Sequence, residues 1–514
     1  MEQLLLLNFN GVKYGFALQG GQLTIEGQHF GPGLVSLTPP TRGVDLYANT
    51  TTSGSASFSL SAEIFDYLGL RARGLLLHKG NATVYQYTGK ETLLSDLPLL
   101  YSGILDQLVF NADNNTFAAS IAAPEYLADL IFPPAKVGDY LRFPNAKPSQ
   151  NSLAVPIIYG FCTDVPLIPI DDDATSPVNV RYLVAGHRVA SSSIIVVDGD
   201  STVIGGPTYP IVGPIIDGLG GQYSYIEIPL ALYQENLYAK ELLGKTKDGS
   251  TPISNLGDVL EDIWQTYAKD FEIDYTRVTR ARTRLNRYTV GIRFDRQESD
   301  LSLTAMLESR ISGQFPVIFG AVGGQYGWDV GQMPQREDPI QATWSVPEDL
   351  LPVSGQTLAS TPLRAIRNEF FVEYERSGVA AGDQSGYIVN AENSEVCRAS
   401  LARWGATPRD RLSLPDVPRL SDAFFGPGAF INDDVSGAWA IATQKARVQG
   451  FVRDRISYTL LDMKWLKMPL LSLVRLTDDR FGWVEKLFVV ESLTATVAGQ
   501  VVVRLLSFDS PYDN

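Results

Sequence analysis

The sequence predicts a β-rich α+β protein built from several domains, on three observations. The chain has 514 residues, which is enough for about three or four domains of ordinary size. Hydrophobic residues make up 45 % of it and aromatic residues 10 %, so several cores can be filled. The 45 glycines and 30 prolines follow no period and separate short segments in which apolar and polar residues alternate, as they do along a β-strand.

Residues 1–132 are predicted to form an N-terminal β domain. The segment Ser55–Ala62 places Ala56, Phe58 and Leu60 on one face, with the period of a strand. The other strands predicted here are Leu4–Phe9, Gln22–Glu26 and Thr116–Ile121. A short helix is predicted to begin at Pro124, because the first turn of a helix tolerates proline.

Residues 133–250 are predicted to form an additional β domain. Prolines at positions 133, 134, 144 and 148 mark the boundary that precedes it. Tyr182–Val184 and Tyr225–Ile228 are its predicted strands. Asp198 and Gly199 between apolar runs are typical of a tight hairpin turn.

Residues 251–360 are predicted to form an α+β domain, because the hydrophobic period changes. Asn255 is the candidate N-cap of a helix. The apolar stripe of that helix contains Leu256, Val259, Leu260, Ile263 and Tyr267. A second helix is predicted from Ser299 to a stop at Gly313 and Pro316. Extended segments, Tyr288–Phe294 among them, are predicted between the two helices.

Residues 361–514 are predicted to form a C-terminal β domain with short helices. The predicted strands are Asn368–Tyr374, Ile456–Leu460, Leu471–Leu476, Leu487–Leu493 and Val501–Leu506. Cys397, Leu401 and Trp404 share one helical face that Gly405 closes. A further helix is predicted from Ala438 to the stop at Gly450.

Composition and motifs argue against an enzyme. The formal net charge of −15 is unfavourable for wrapping nucleic acid, which needs clustered Lys and Arg. His29, His78 and His187 lie far apart and show neither zinc-ligand spacing nor a triad pattern. Nucleophile-elbow, Walker A and GxGxxG patterns are absent from the sequence. We therefore expect no catalytic residue, no cofactor and no metal.

Two further features bear on metals and location. Asp171–Asp173 could supply the oxygen ligands that Ca²⁺ prefers, but the run lacks the spacing of an EF-hand loop, so a solvated loop is the favoured interpretation. Cys162 and Cys397 are far apart and show no metal-ligand spacing, which favours folding in a reducing compartment. We expect no signal sequence, since the apolar run Leu4–Leu7 is too short, and no membrane-spanning segment.

A basic cluster is the main candidate for a contact surface. Its arginines are Arg277, Arg280, Arg282, Arg284, Arg287, Arg293 and Arg296. If the segment is extended, Arg280, Arg282 and Arg284 share one face. We favour a subunit interface that pairs with the acidic surface of the protein itself. Nucleic-acid contact and a plain solvated face remain alternatives, and the aromatic ladder typical of single-strand binding is missing.

Four passages resemble the hub proteins at the distal end of phage tails, a family shared by contractile baseplates and long non-contractile tail tips. Leu256–Tyr275 resembles the helix that opens the α/β insertion of that family. Ser299–Trp328 is similar to a following helix that runs into a Gly-rich strand pair, and Ile366–Tyr374 to the strand that returns to the β core. Leu471–Leu506 resembles the closing barrel, and Val155–Val165 is similar to a tail-tip segment.

The resemblance implies a structural virion protein without catalytic residues. Its fold would contain two β-barrel-like hub domains, an α/β insertion and the additional β domain. A homotrimer would present six similar faces and so adapt the six-fold tail tube to a three-fold tip. Implied partners are the tail tube or distal tail protein, the tape measure protein, and tail-tip and fibre proteins. DNA would pass through the lumen without specific binding, and the protein would assemble in the host cytoplasm and reside in the virion.

Two other functions compete with this one. A receptor-binding or fibre-attachment protein is the first alternative, although repeats and a helical stalk, which are typical of fibres, are missing. A polysaccharide hydrolase is the second, because two carboxylates and a cleft suffice for that chemistry and the chain has 57 acidic residues. Reversing Arg280, Arg282 and Arg284 to Glu is expected to weaken assembly while leaving the monomer folded.

Overall fold

The computed structural model confirms a β-rich protein with several sheets and few helices. It describes residues 2–508 apart from positions 10, 19, 39–40, 47–49, 54–55, 74–79, 98, 123–129, 139–142, 171–177, 217–218, 270–272, 296–301, 323–324, 335–337, 355, 375–385, 415–437 and 497–499. The helix predicted after Pro124 falls largely on residues 123–129 and lies outside the described part.

The first half of the chain is almost entirely strands. Residues 1–132 form β1 (Glu2–Phe9), β2 (Val12–Ala17), β3 (Leu23–Ile25), β4 (Gln28–Gly31), β5 (Leu34–Thr38), β6 (Thr41–Asp45), β7 (Thr50–Ser53), β8 (Ala56–Ser61), α1 (Tyr67–Ala72), β9 (Asn81–Tyr87), β10 (Leu99–Asn111) and β11 (Thr116–Ala122). Residues 133–250 form β12 (Ile157–Pro169), β13 (Asn179–Ala185), β14 (Ser193–Ile194), β15 (Val196–Val197), β16 (Tyr209–Pro210), β17 (Val212–Ile216), β18 (Gln222–Pro229) and β19 (Leu237–Leu243).

Helices enter in the second half. Residues 251–360 form α2 (Leu256–Tyr267), α3 (Tyr275–Leu285), β20 (Gly291–Phe294), α4 (Leu303–Met306), β21 (Val317–Val322), β22 (Gln325–Val330), β23 (Ile340–Ser345), β24 (Leu350–Pro352) and β25 (Ala359–Ser360). Residues 361–514 form β26 (Phe370–Tyr374), β27 (Gly386–Val389), α5 (Glu395–Trp404), β28 (Asp410–Leu414), α6 (Ala438–Gln449), β29 (Asp454–Leu460), β30 (Leu473–Asp478), β31 (Trp483–Ala495) and β32 (Val501–Ser507).

The helix signals in the sequence locate real helices. Asn255 occupies the N-cap position of α2, as predicted. The helix predicted from Ser299 begins later, at Leu303, because the side chain of Ser302 caps it by accepting from the Ala305 N–H. This helix continues as a π-helix, Leu307–Ser312, and ends at Gly313. Gly405 ends α5, also as predicted.

The first and last sheets pack on one core. The first sheet has the strand order β3-β4-β2-β1-β9-β10-β11-β8-β5, and the central path of the last is β23-β30-β31-β32-β29-β24. Their apolar faces meet in a single buried cluster that includes Leu5 and Phe58 from the first sheet and Phe488 and Val490 from the last. Burial of this shared core stabilises the two sheets as one body.

A hairpin from the N-terminal region extends the last sheet. Strand β30 pairs with β31 only as far as Val489. Beyond that point β6 pairs with Ser492–Thr494 along the same edge of β31, and β7 pairs with β6. The register of β31 with β32 shifts between Val490 and Ser492. Residues 340–352 also join this sheet through β23 and β24. Strands from three of the predicted domain ranges thus pair in one sheet. The four domain ranges stay a prediction.

Strand β12 changes partner at Gly160 within one seven-stranded sheet. Its first part, Ile157–Gly160, pairs with β20, and the part after Gly160 pairs with β19. Gly160 has φ +67°, and a Cβ there would lie 1.8 Å from the backbone oxygen of Val290, so only glycine fits. The segment Val155–Val165 thus connects the second β region to the helices of residues 251–360.

A buried polar cluster lies at this connection, and we name it the Asp262 junction (Tyr159, His187, Lys245 and Asp262). The Tyr159 hydroxyl donates to Asp262 Oδ2 over 2.7 Å, and Lys245 Nζ donates to the same oxygen over 2.6 Å. His187 Nε2 accepts from the Ile158 N–H, and its other ring nitrogen lies 3.0 Å from the Arg188 carbonyl. These contacts select the neutral imidazole with the proton on Nδ1.

Candidate interaction surface at the arginine helix

The arginine-rich segment is a helix, so the condition under which Arg280, Arg282 and Arg284 would share one strand face is not met. We name α3 (Tyr275–Leu285) the arginine helix. It begins because the Asp274 side chain accepts from the Arg277 N–H over 3.0 Å. Val278, Ala281 and Leu285 form its buried side at helical spacing. The alternation of Arg and Thr obscures this spacing, but Asp274 followed by those apolar positions is the signal that could have identified the helix.

Helical geometry separates the three arginines predicted to share a face. Arg280 and Arg284 lie one turn apart, whereas Arg282 projects from another side. Arg280 pairs with Asp329 through Nη2 over 2.9 Å, and Arg284 pairs with Asp338. Arg282 instead contacts the carboxylates of α2, reaching Asp258 over 2.6 Å and Glu261 over 2.6 Å.

A fourth arginine, Arg277, belongs to the predicted basic cluster but not to the three predicted interface residues, and it anchors this network. The Arg277 side chain is only 7 % exposed, and its Nε donates to Asp329 over 2.5 Å. Asp329 therefore binds both Arg277 and Arg280.

Arg280 and Arg284 line a cleft between the arginine helix and the edge of the last sheet. This Arg280–Arg284 cleft has a volume of about 230 Å³. Asp329 and Asp338 line it together with the two arginines. The apolar members of the lining include Pro334, Pro339, Pro469, Leu470 and Leu473. Arg282 does not line the cleft. A lining that mixes charged and apolar side chains suits an amphipathic segment better than a bare ion.

A second crevice, of about 310 Å³, lies beside the π-helix. Glu308 and Lys445 bring opposite charges to its lining, together with Gln314 and Gln444. Burial raises the pKa of the Glu308 carboxyl above its ordinary value. The described lining of this crevice, like that of the Arg280–Arg284 cleft, has equal numbers of acidic and basic side chains.

The remaining candidates from the sequence contribute no site to the described part of the chain. His29 is exposed on β4, and His187 belongs to the Asp262 junction. His78 and Asp171–Asp173 lie outside the described residues. Cys162 and Cys397 are both buried. In the described residues no group of three or more His, Cys, Asp or Glu side chains could hold a metal ion.

The chain is thus a β-rich protein of several sheets with a cleft lined in part by paired Arg and Asp side chains. No protein-family model matches the chain. No curated protein matches it either. Across the described ranges, no helix has both the length and the apolar character that crossing a membrane requires.

Solved structures similar to this chain are phage tail and baseplate proteins. A 43 kDa tail protein of prophage MuSo2 from Shewanella oneidensis is 11 % identical, with 100 % of both chains covered and a TM-score of 0.41. The prophage tail protein gp18 from Listeria monocytogenes is 8 % identical, with 99 % of this chain and 95 % of that chain covered and a TM-score of 0.39. A chain of the phage P2 baseplate is 8 % identical, with 99 % of both chains covered and a TM-score of 0.23. All three TM-scores are below 0.5, so these likenesses alone assign neither fold nor function.

Proposed function

We propose that this chain is a structural protein of a phage tail, and more finely the central hub of the tail tip or baseplate. The observation that carries the proposal is the order of elements along the four passages that resemble hub proteins. Helix α2 stands where the opening helix of the insertion is expected. The helix that begins at Leu303 runs into the β21–β22 pair, again as expected.

The two remaining passages support the same proposal. Strand β26 lies where the chain is expected to return to the β core. Strands β30, β31 and β32 then pair antiparallel in sequence order at the C-terminal end. An element order of this length is harder to obtain by coincidence than any one helix or strand, because each element must also have the right type.

The shared core suggests how one chain would serve as a hub protomer. The first and last sheets would be the two barrel-like hub domains, held together by their common core and by the β6–β7 hairpin. Three copies would then present six such faces around an axis, which suits a six-fold tail tube. Contacts between copies would cover sheet edges that are otherwise exposed.

The charge of the chain suits a channel for DNA. A net charge of −15 repels phosphates, so a lumen lined by this protein would let DNA pass without holding it. The neighbours in this proposal are the tail tube or distal tail protein, the tape measure protein, and tip and fibre proteins. The proposed location is the virion, after assembly in the host cytoplasm, and no catalytic activity is proposed.

The second β region is proposed to attach other tip or fibre proteins. Its edge strand β17 carries Ile216, which is 70 % exposed. Near the end of the same sheet, Val178 is 83 % exposed and accepts a backbone hydrogen bond from Leu230, itself 55 % exposed. Exposed apolar residues beside a free strand edge are typical of protein contact sites.

Negative-stain electron microscopy of the purified protein tests the hub proposal. Three-fold rings with a central hole are the expected result, and elongated rods would favour the fibre alternative. Because assembly depends on concentration, mass by light scattering is measured over a wide concentration range. A protein that stays monomeric at every concentration, and that is absent from the tail tip in a particle reconstruction, would contradict the proposal.

A further inference from the structure

The crevice beside the π-helix differs from the Arg280–Arg284 cleft because its two charged side chains are unpaired. In the cleft, both arginines pair with aspartates. Glu308 and Lys445 both line the crevice, but neither forms an ion pair within the described part of the chain. Burial raises the pKa of the Glu308 carboxyl, as it does for a carboxylate that lacks a neighbouring cation. The crevice therefore offers one carboxylate and one ammonium group to a ligand.

Two glutamines of the lining also have polar groups without a partner. Gln444 Oε1 is buried and accepts no hydrogen bond from any described residue. Gln332 is 7 % exposed, and its Oε1 accepts from the Tyr288 hydroxyl over 2.8 Å, whereas its Nε2 has no acceptor among the residues that the structure describes. Gln332 lines both the crevice and the Arg280–Arg284 cleft. Buried polar groups are nearly always paired in proteins, so unpaired groups around one space indicate that a polar ligand completes it.

The walls of the crevice place these polar groups beside apolar side chains. Helix α6 turns one stripe towards it, at positions i, i+3, i+4 and i+7. The stripe consists of Ile441, Gln444, Lys445 and Val448. The π-helix contributes Glu308, and the chain just after it contributes the buried ring of Phe315. A volume of about 310 Å³ lies at the lower end of the range for small-molecule sites, roughly 300–1,000 Å³, so the ligand is small.

We propose that the crevice binds a free α-amino acid with an apolar side chain. Such a molecule is a zwitterion, so Lys445 binds its carboxylate and Glu308 binds its ammonium group. The two glutamine amides supply hydrogen-bonding groups for the polar end of the ligand. The apolar side chain contacts Phe315, Ile441 and Val448, and its burial adds to the affinity. This inference goes beyond the proposed function, since it requires no assembly of copies.

Other small ligands match this lining less well. A phosphate ion would be repelled by Glu308, and a metal cation would be repelled by Lys445. Glu308 is also the single acidic group among the described lining residues, whereas divalent cations need several oxygen ligands. The backbone of an internal peptide segment is uncharged and would leave both charges unpaired. A zwitterion offsets both charges at once.

Ligand-observed NMR titration of the full-length protein with L-leucine tests the proposal. The dissociation constant is expected on the order of 1 mM or below, as suits so small a ligand. Two analogues each remove one charge, since N-acetyl-L-leucine lacks the ammonium group and L-leucinamide lacks the carboxylate. Each should bind about tenfold more weakly than leucine. L-serine, which keeps both charges but lacks the apolar side chain, should also bind more weakly.

Variants of the two charged residues locate the binding site. Glu308→Gln and Lys445→Gln should each weaken leucine binding about tenfold, because each removes one ion pair with the ligand. The matched controls are Glu63→Gln and Lys13→Gln, which remove an exposed Glu and an exposed Lys outside the crevice and should bind leucine as the parent does. Thermal unfolding checks that the variants are folded. If one is not, the two analogues still test the charges in the parent protein.

Several outcomes overturn the proposal. Leucine binding that does not saturate at about ten times the expected dissociation constant would do so. Binding of both analogues as tight as that of leucine, or parent-like binding by both E308Q and K445Q, would also do so. Tighter binding of phosphoethanolamine than of leucine would assign the crevice to a zwitterionic phosphate ligand instead. Rings in the microscope bear only on the hub proposal, so either proposal can fail without the other.

Discussion

Two charged regions of the molecule differ in how far their ion pairs are exposed to water. In the Asp262 junction, Lys245 and Asp262 are 15 % and 12 % exposed and share one oxygen with a buried tyrosine hydroxyl. On the arginine helix, Arg280, Arg282 and Arg284 are 50 %, 40 % and 35 % exposed. The same ion-pair chemistry is thus shielded from water in the first region and open to it in the second.

The difference in exposure predicts that the ion pairs of the first region contribute more to stability than those of the second. Removing one member of a buried pair leaves a charge without solvent or partner, which is costly. Removing one member of an exposed pair costs little, because water and salt already screen it. The Asp262 junction connects β12, α2 and the second β region, whereas the arginine helix presents donors to a cleft at the surface.

The largest effect is expected from Asp262→Ala. This change leaves the Lys245 ammonium in a mostly buried position and the Tyr159 hydroxyl without its acceptor. We expect the free energy of unfolding to fall by about 3–5 kcal/mol. Urea unfolding followed by tryptophan fluorescence measures it. Tyr159→Phe, which removes only the hydroxyl, is the control and should cost about 1–2 kcal/mol. A loss below that of the control would show that the junction does not hold the two regions together.

The next effect is a loss of stability in mild acid through His187. Burial, which is the largest cause, and the nearby Lys245 charge lower its pKa from 6.5 to about 4. In the unfolded chain His187 binds a proton near pH 6.5, whereas in the fold it stays neutral until about pH 4. Its neutral state therefore favours folding above pH 6.5, and this contribution is lost as the pH falls from 6.5 towards 4. The full change is about 3 kcal/mol.

A comparison of the parent protein with His187→Gln isolates this term. Glutamine is neutral at every pH, and its amide oxygen can accept from the Ile158 N–H. The free energy of unfolding of the parent is expected to fall more steeply than that of H187Q between pH 6.5 and pH 4. Parallel curves over that range would mean that His187 is protonated in the folded state.

An intermediate effect is expected within the arginine network itself. Arg277 and Arg280 bind the same carboxylate, but their side chains are 7 % and 50 % exposed. Arg277→Ala should therefore lower the free energy of unfolding by about 2–3 kcal/mol, and Arg280→Ala by less than about 1 kcal/mol. Urea unfolding of both variants checks the ratio. Equal losses would mean that exposure does not decide the strength of these pairs.

Much of the β architecture can be predicted from the sequence because strand alternation is local. Ala56, Phe58 and Leu60 are buried in β8 at the expected period of two. Pairing between distant segments cannot be predicted in this way. Nothing local to Thr41–Asp45 indicates that it pairs with β31, since that contact depends on where the first and last sheets pack. The role of Gly160 likewise depends on the Val290 backbone, which is 130 residues away in the sequence.

The subunit interface predicted at Arg280, Arg282 and Arg284 stays a prediction. The sequence singled out Arg280 and Arg284, and the structure places both in one cleft. It also grouped Arg282 with them, because the assumed strand has a period of two whereas the helix turns every 3.6 residues. Arg277 was missed as the buried anchor, since an arginine is rarely buried unless it is paired, and its partner Asp329 lies far along the chain.

The smallest effect is expected from Arg282→Gln, and it separates stability from assembly. Reversing all three arginines to Glu was expected to leave folding intact, but the contacts with Asp258, Asp329 and Asp338 would then become repulsive. Glutamine avoids this repulsion. Because Arg282 is 40 % exposed, R282Q should lower the free energy of unfolding by about 0.5–1 kcal/mol, and 1 M NaCl should reduce the difference from the parent. Ring formation should be unchanged, since Arg282 lies outside the cleft. Loss of rings in R282Q, with R280Q and R284Q still assembling, would move the contact surface to the α2 side of the arginine helix.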